Sequence, residues 1–368
     1  MDGPEARVAH YFDLICGTST GGLITAMLTA PDETNHARFT AQEINSFYFD
    51  HGASIFPEKN RQALYARPHG YSGSYVGHCI MHRTYTKLYI REKLGQTRMS
   101  ETITPIAITD FDLKKKTSCI FSTDKAKDCV MENPLLSDVC IAAAPTYFPP
   151  HHFQVKAKVG EVEKIQEYNI IDGGIAANNP LNISYNMLTR ILSRNPQLFG
   201  RGGDGEVLII SLGTGSSTRA KAQKKDTTAV SAAKWGLYHW AKETVGFTDL
   251  FRPAQDDMVR YTNDTVISLL RQLLGRDRIH YLRMQTIFTS DQASEVSSMD
   301  VASKENLRAL VQVSEDLLKE QVKEENVETG CLENVVDQAN IFRGDTNEQA
   351  VSRAAELLST ERRARRHT

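Results

Sequence analysis

Strand-like apolar runs alternate with helix-period patterns along the chain. Phe12–Cys16 reads as a buried strand, and a helix is predicted from about Thr20 to Thr29. Ala41–Phe49 and Thr84–Leu94 carry helical spacing, separated by the glycine- and aromatic-rich loop "RPHGYSGSY". Ile103–Thr109 and Ser118–Ser122 read as strands. Leu135–Ala143 reads as a short helix, stopped by Pro145 and by Pro149-Pro150. "YNIIDGG", residues 168 to 174, is a strand entering a sharp turn, and "VLIISLGTG" puts a strand over Val207–Leu212. Beyond about residue 220 the pattern is more polar and helical. Val301–Val322 and Asn347–Thr360 are amphipathic, with Leu307, Leu310, Val311, Val313, Leu317 and Leu318 giving most of the first apolar face.

Strands alternating with helices predict a three-layer α/β/α fold with a mostly parallel central sheet and a helical C-terminal part. Active residues of such folds gather at the carboxyl ends of strands. Ser19, Asp172 and the Gly213-Thr-Gly215 turn are all expected at such ends. The preferred division is a catalytic core over residues 1–192, with 193–368 completing the same globular unit.

Composition narrows the function classes. With 43 Lys+Arg against 45 Asp+Glu there is no global basic field to recruit nucleic acid. The tail "ERRARRHT", residues 361 to 368, reads as a solvated, frayed helix end. Six cysteines without a CxxC pair predict reduced thiols. No stretch reaches 18 consecutive apolar residues, so no transmembrane segment is expected. The opening "MDGPEARVAHYFD" does not read as a signal peptide, and a cytoplasmic location is expected. Asn182-Ile-Ser184 and Asn263-Asp-Thr265 fit the glycosylation pattern only as chance matches.

The chemistry centres on Gly17-Thr18-Ser19-Thr20-Gly21, a G-x-S-x-G motif between an apolar strand and a helix. A nucleophilic serine must stand on a strained strand-to-helix turn with its Oγ above the sheet. The residues two before and two after are expected to crowd the adjoining backbone, which favours glycine. The helix then aims its N-terminal N–H groups at the site. A plain glycine turn is the competing reading, and the absence of GxGxxG disfavours a phosphate loop.

A nucleophilic serine needs a base. Of 11 histidines, His239 and His280 lie late enough for a Ser-acid-His order, yet both read as structural. Asp172 is the better candidate. It ends a strand ahead of Gly173 and Gly174, and a carboxylate held within about 3 Å of Oγ can itself serve as general base. Alone, it is equally a turn aspartate.

"GTSTGG" at 17 to 22 and "DGG" at 172 to 174 resemble the patatin-like acyl hydrolases, plant patatins in particular. "REKLG", "LLSDVCIAAAPTYFPPHHF", "DGGIAANNP", "LIISLGTG" and "HYLRMQ" resemble patatin segments in the same order, over nearly the whole chain. The resemblance implies a Ser19–Asp172 dyad without metal or cofactor. It also implies hydrolysis of phospholipid and galactolipid acyl esters through an acyl-serine intermediate. Membrane lipids are the implied partners, met peripherally at an interface. The aromatic loop around Tyr71–Tyr75 is a candidate docking surface, equally readable as an ordinary surface loop. Patatins carry an Asp-Gly-Gly-Gly-x-Arg-Gly oxyanion loop ahead of the serine, and the 18 residues before Ser19 do not contain it. The chain is therefore expected to start late, lacking a first strand and that loop. A catalytically impaired storage or lipid-binding protein is the alternative expectation.

Overall fold

The computed structural model describes residues 2–56, 87–142, 150–194, 196–199, 205–216, 251–288, 296 and 301–367. By internal packing the chain forms two compact units. One comprises Met1–Thr189 with Glu356–Thr368, and the other Arg190–Ala355.

The first unit is built on a five-stranded sheet of β1 (Ile15–Thr18), β2 (Ile106–Asp112), β3 (Thr117–Ser122), β4 (His151–Val159) and β5 (Val162–Asp172). β2 is its centre, buried at every position but Phe111. β3 runs antiparallel along one edge of β2, from Ala107 to Asp112. The other edge is shared. β1 pairs parallel with Ile106–Thr109, and β5 pairs antiparallel with Asp110–Asp112. β1 and β5 therefore meet end to end along β2, with Thr18 opposite Thr109 and Asp172 opposite Asp110. Among the described residues the sheet is mixed rather than mostly parallel. The β2–β3 and β4–β5 connections are both tight hairpins, which force antiparallel pairing.

Side-chain alternation on β2 gives the layers. Ile106 and Ile108 face a large core with α1 (Thr20–Thr29), α2 (Ala41–Ile55), α3 (87–94) and α5 (Leu136–Ala142). Between β3 and α5 lies a short helix, α4 (Thr123–Asp128). Ala107 faces the opposite way. It packs on Ile183 and Met187 of α7 (Leu181–Arg194), beyond the one-turn α6 (Gly174–Ala177). Helices thus cover both faces of the sheet, the α/β layering that the pattern predicted. α2 begins in a capping box, in which Thr40 Oγ1 accepts from the Glu43 N–H and Glu43 Oε2 accepts from the Thr40 N–H. At the edge of the large core, buried His151 and Asp138 join at 2.9 Å, and Arg91 donates to the same Asp138 oxygen at 3.1 Å.

The second unit holds β6 (Val207–Leu212) and β7 (Ile279–Met284) as a parallel pair. Around them come α8 (Phe251–Leu274), α9 (Lys304–Lys319) and the small pair β8 (Lys323–Glu325) and β9 (Leu332–Asn334). Buried Leu282, Val322, Phe342, Ala350 and Ala354 form its core.

The last helix, α10 (Asn347–His367), corrects the reading of the tail as frayed. Its arginines grip the segment ahead of β1. Arg363 bonds Asp2 at 2.8 Å, Arg365 holds both carboxylate oxygens of Asp13, and Arg362 donates to the Tyr11 hydroxyl at 2.8 Å while lying 4.7 Å over its ring. A basic cluster that looks solvated in sequence is placed here by partners about 350 residues away.

Candidate active site

Ser19 occupies the junction of β1 and α1 with φ 57° and ψ −128°. Non-glycine residues rarely adopt this backbone, and the strain is a local cost that the surrounding packing must hold in place. Gly17 shows how it is held. A Cβ on Gly17 would overlap the carbonyl of Gly21 and the amide of Gly22, so β1 and the first turn of α1 touch backbone to backbone. Gly21 corrects the expectation of matched crowding, because a Cβ there would meet open space. The motif's first glycine is sterically required. The second contributes its carbonyl to that contact.

Thr18 locks the same junction from the side. Its Oγ1 lies 2.6 Å from Thr109 Oγ1 and donates to the Ala177 carbonyl at 3.0 Å. The end of β1 is thereby tied both to β2 and to the turn that follows Asp172.

Asp172 ends β5 and is buried. A Cβ on Gly173 would overlap the Thr109 carbonyl, so only glycine lets the chain leave β5 this close to β2. The Gly174 N–H then donates to Asp172 Oδ1 at 2.8 Å. The other carboxylate oxygen, Oδ2, receives the Ser19 Oγ hydroxyl at 3.2 Å. The two residues stand 153 positions apart in sequence. They meet because β1 and β5 run toward each other along one edge of β2.

A second carboxyl lies beside this pair. Asp110, opposite Asp172 in the ladder, is 1 % exposed, and neither of its oxygens has a hydrogen-bond partner among the described residues. Burial, and then the neighbouring Asp172, push its carboxyl well above the usual range. Its protonated form is therefore favoured over that of an ordinary aspartate. Sequence reading passed over Asp110. The available signal was "ITDFD", three polar residues inside an otherwise apolar central strand.

His239 and Tyr71–Tyr75 lie outside the described residues. His280 is buried on β7, with Nε2 3.1 Å from Glu206 Oε2. The Gly213-Thr-Gly215 turn does end a strand, but that strand is β6, which pairs with β7. There the Gly213 N–H bonds the Met284 carbonyl and the Gly215 N–H bonds Gln285 Oε1. Cys16, beside the elbow, is a thiol that burial pushes up to about 11. Among the described residues, no group of three or more His, Cys, Asp or Glu is placed to hold a metal ion. None of the described helices is long and apolar enough to cross a membrane.

Comparison with known proteins gives this geometry a family. A family model described as patatin-like phospholipase matches residues 5–185, the span that holds both Ser19 and Asp172. Patatin-like protein 1 of Oryza sativa subsp. indica is 38% identical over 99% of this chain and 84% of its own length. The chain belongs to the patatin-like phospholipase family. Patatin-like protein 1 of Arabidopsis thaliana is similarly related, 36% identical over 100% of this chain and 84% of its own length. A Solanum tuberosum relative named probable inactive patatin-3-Kuras 1 is 35% identical over 88% of this chain and 80% of its own length.

Proposed function

We propose that this patatin-like chain is a lipid acyl hydrolase in which Ser19 is the nucleophile and Asp172 the general base. The observation that carries the reading is the Ser19 Oγ–Asp172 Oδ2 hydrogen bond at 3.2 Å, made by a serine on a strained elbow. Membership of the family supports acyl esters of phospholipids as the substrate class, and the proposal extends to galactolipid esters.

Ser19 Oγ attacks the ester carbonyl carbon while its proton passes to Asp172 Oδ2. The carbonyl oxygen becomes an oxyanion next to the start of α1. First-turn N–H groups of a helix have no partner within it, and they carry the positive end of its dipole. Collapse of the tetrahedral intermediate breaks the bond to the alcohol, which leaves with the proton from Asp172. A water then gives its proton to Asp172 and attacks the acyl carbon. The fatty acid departs and Ser19 regains its proton. The Gly174 N–H on Oδ1 keeps Oδ2 turned to the serine throughout.

The test is covalent labelling by a fluorophosphonate together with turnover of short-chain p-nitrophenyl esters. Both are expected in the wild type and lost in Ser19→Ala. Folded wild-type protein that neither labels nor cleaves sinks the reading. Retained vesicle binding without turnover then selects the lipid-binding alternative.

A further inference from the structure

The sheet edge on which Ser19 stands carries a feature that catalysis does not use. β5 touches β2 only from Asp110 to Asp112, with the Leu113 N–H bonding the Asn169 carbonyl just beyond. Among the described residues, 162–168 of β5 and their partners on β4 have strand pairing only with each other. They form a two-stranded ribbon running past the carboxyl ends of β1 and β2. At about 3.3 Å per residue its tip lies roughly 30 Å from Asp172. The ribbon's base is therefore at the dyad, and its length leads away from the edge where Ser19 sits.

The outer ribbon exposes three aliphatic side chains among its charged ones. Val159 and Val162 face each other across the tip at 41% and 61% exposure, and Ile165 is 53% exposed on the other face. The β2–β3 turn joins it at the base. Leu113 is 41% exposed there, Lys114 pairs with Glu167 of β5 at 3.6 Å, and Lys115 lies 5.3 Å over the Tyr168 ring. Three exposed lysines fill that turn, and Lys156, Lys158 and Lys164 stand exposed on the ribbon. Over residues 113–116 and 154–167 there are thus six lysines against three glutamates, in a chain whose net charge is −2.

We propose that the β4–β5 ribbon and the β2–β3 lysine turn form the surface by which this protein docks on an anionic phospholipid bilayer. Exposed aliphatic side chains flanked by lysines match an interface that is apolar below and negative at its surface. A ribbon laid along the bilayer brings its base, and with it Ser19, to the same surface. This inference takes its lipid partner from the proposed hydrolase function, while its own evidence is the ribbon.

The experiment is flotation of the full chain with vesicles of phosphatidylcholine alone or with 30 mol% phosphatidylglycerol, at low and high salt, beside hydrolysis of a soluble p-nitrophenyl ester. The wild type is expected to float with the anionic vesicles and to be released by salt. Each lysine near such a surface adds about fivefold in partition, so K114A/K115A/K116A should lose on the order of 100-fold. V159S/V162S/I165S should lose at least about tenfold, and more of the remaining binding should then be salt-sensitive. Both variants keep soluble-ester turnover, which also serves as the check on folding. Wild-type binding in either variant, or no anionic-vesicle binding by the wild type, overturns the proposal. Self-association that the valine changes abolish, without vesicle binding, also overturns it and assigns the ribbon to a second copy. Failure of ester turnover in all chains strikes the hydrolase reading instead and leaves the flotation result to decide docking.

Discussion

Two serine–aspartate pairs follow strand ends among the described residues, and the shorter bond is not the one in the candidate site. Ser216 donates to Asp256 at 2.7 Å, just past the Gly213-Thr-Gly215 turn, whereas Ser19 reaches Asp172 at 3.2 Å. The difference lies in the backbone. Ser216 is embedded in extended pairing, its N–H on the Thr286 carbonyl and its carbonyl receiving the Phe288 N–H. Ser19 stands at positive φ on the first turn of a ten-residue helix. The first arrangement spends its hydrogen bonds on holding a turn closed. The second sets a hydroxyl at the start of a helix and turns it to a carboxylate on another strand. The two pairs thus differ less in bond length than in the backbone conformation of the serine.

The sharpest way to break this contrast is to neutralise each carboxylate in turn. Asp172→Asn should lower ester turnover on the order of 10³-fold or more, while Asp256→Asn leaves kcat/KM within a factor of two to three, as read by steady-state kinetics. Equal losses would erase the distinction.

The glycines come next. Gly17→Ala drives a methyl into backbone that cannot swing away and should cost about 3 kcal/mol or more in urea unfolding, with labelling lost. Asp110 gives a pH-dependent effect of intermediate size. Its carboxyl sits above its ordinary value of 3.8, so the stability it contributes is complete below that value and is lost as pH rises toward the folded value. Asp110→Asn removes that loss, and its melting temperature relative to wild type should be higher at pH 8 than at pH 5. An offset independent of pH would refute the upward shift of Asp110. Gly213→Ala meets chiefly the Gln285 side chain, which can move at the expense of its bond to the Gly215 N–H, for a cost of about 1 kcal/mol. Gly21→Ala, with open space at its Cβ, should change stability by less than about 0.5 kcal/mol, read in the same unfolding series.

Much of the local structure was legible. The helix predicted from Thr20 to Thr29 and the strand over Val207–Leu212 match their observed ends, and the strand leading into "DGG" is the inner end of β5. Less was legible where the pattern weakens. The outer half of β5 lacked a signal because it is exposed on both faces, whereas β4 went unread although Phe153, Val155, Ala157 and Val159 alternate with polar residues. The helix Leu181–Arg194 went unread among its Asn and Ser residues, although Ile183, Met187 and Ile191 recur at helical spacing.

The sequence by itself determined the residue types of the site: a serine in G-x-S-x-G after a strand, an aspartate before two glycines, and the element patterns that carry them. Those are local matters, governed by steric demand at a turn and by periodicity of burial. Tertiary structure alone decided which strand ends meet. β1 and β5 share one edge of β2, which sets Ser19 against Asp172, leaves Asp110 buried beside them, and sends the lysine-edged ribbon outward from the same place. It also drew the arginines of α10 onto Asp2, Tyr11 and Asp13. Strand register and end-to-end docking depend on contacts scores to hundreds of residues apart, and no local pattern encodes them.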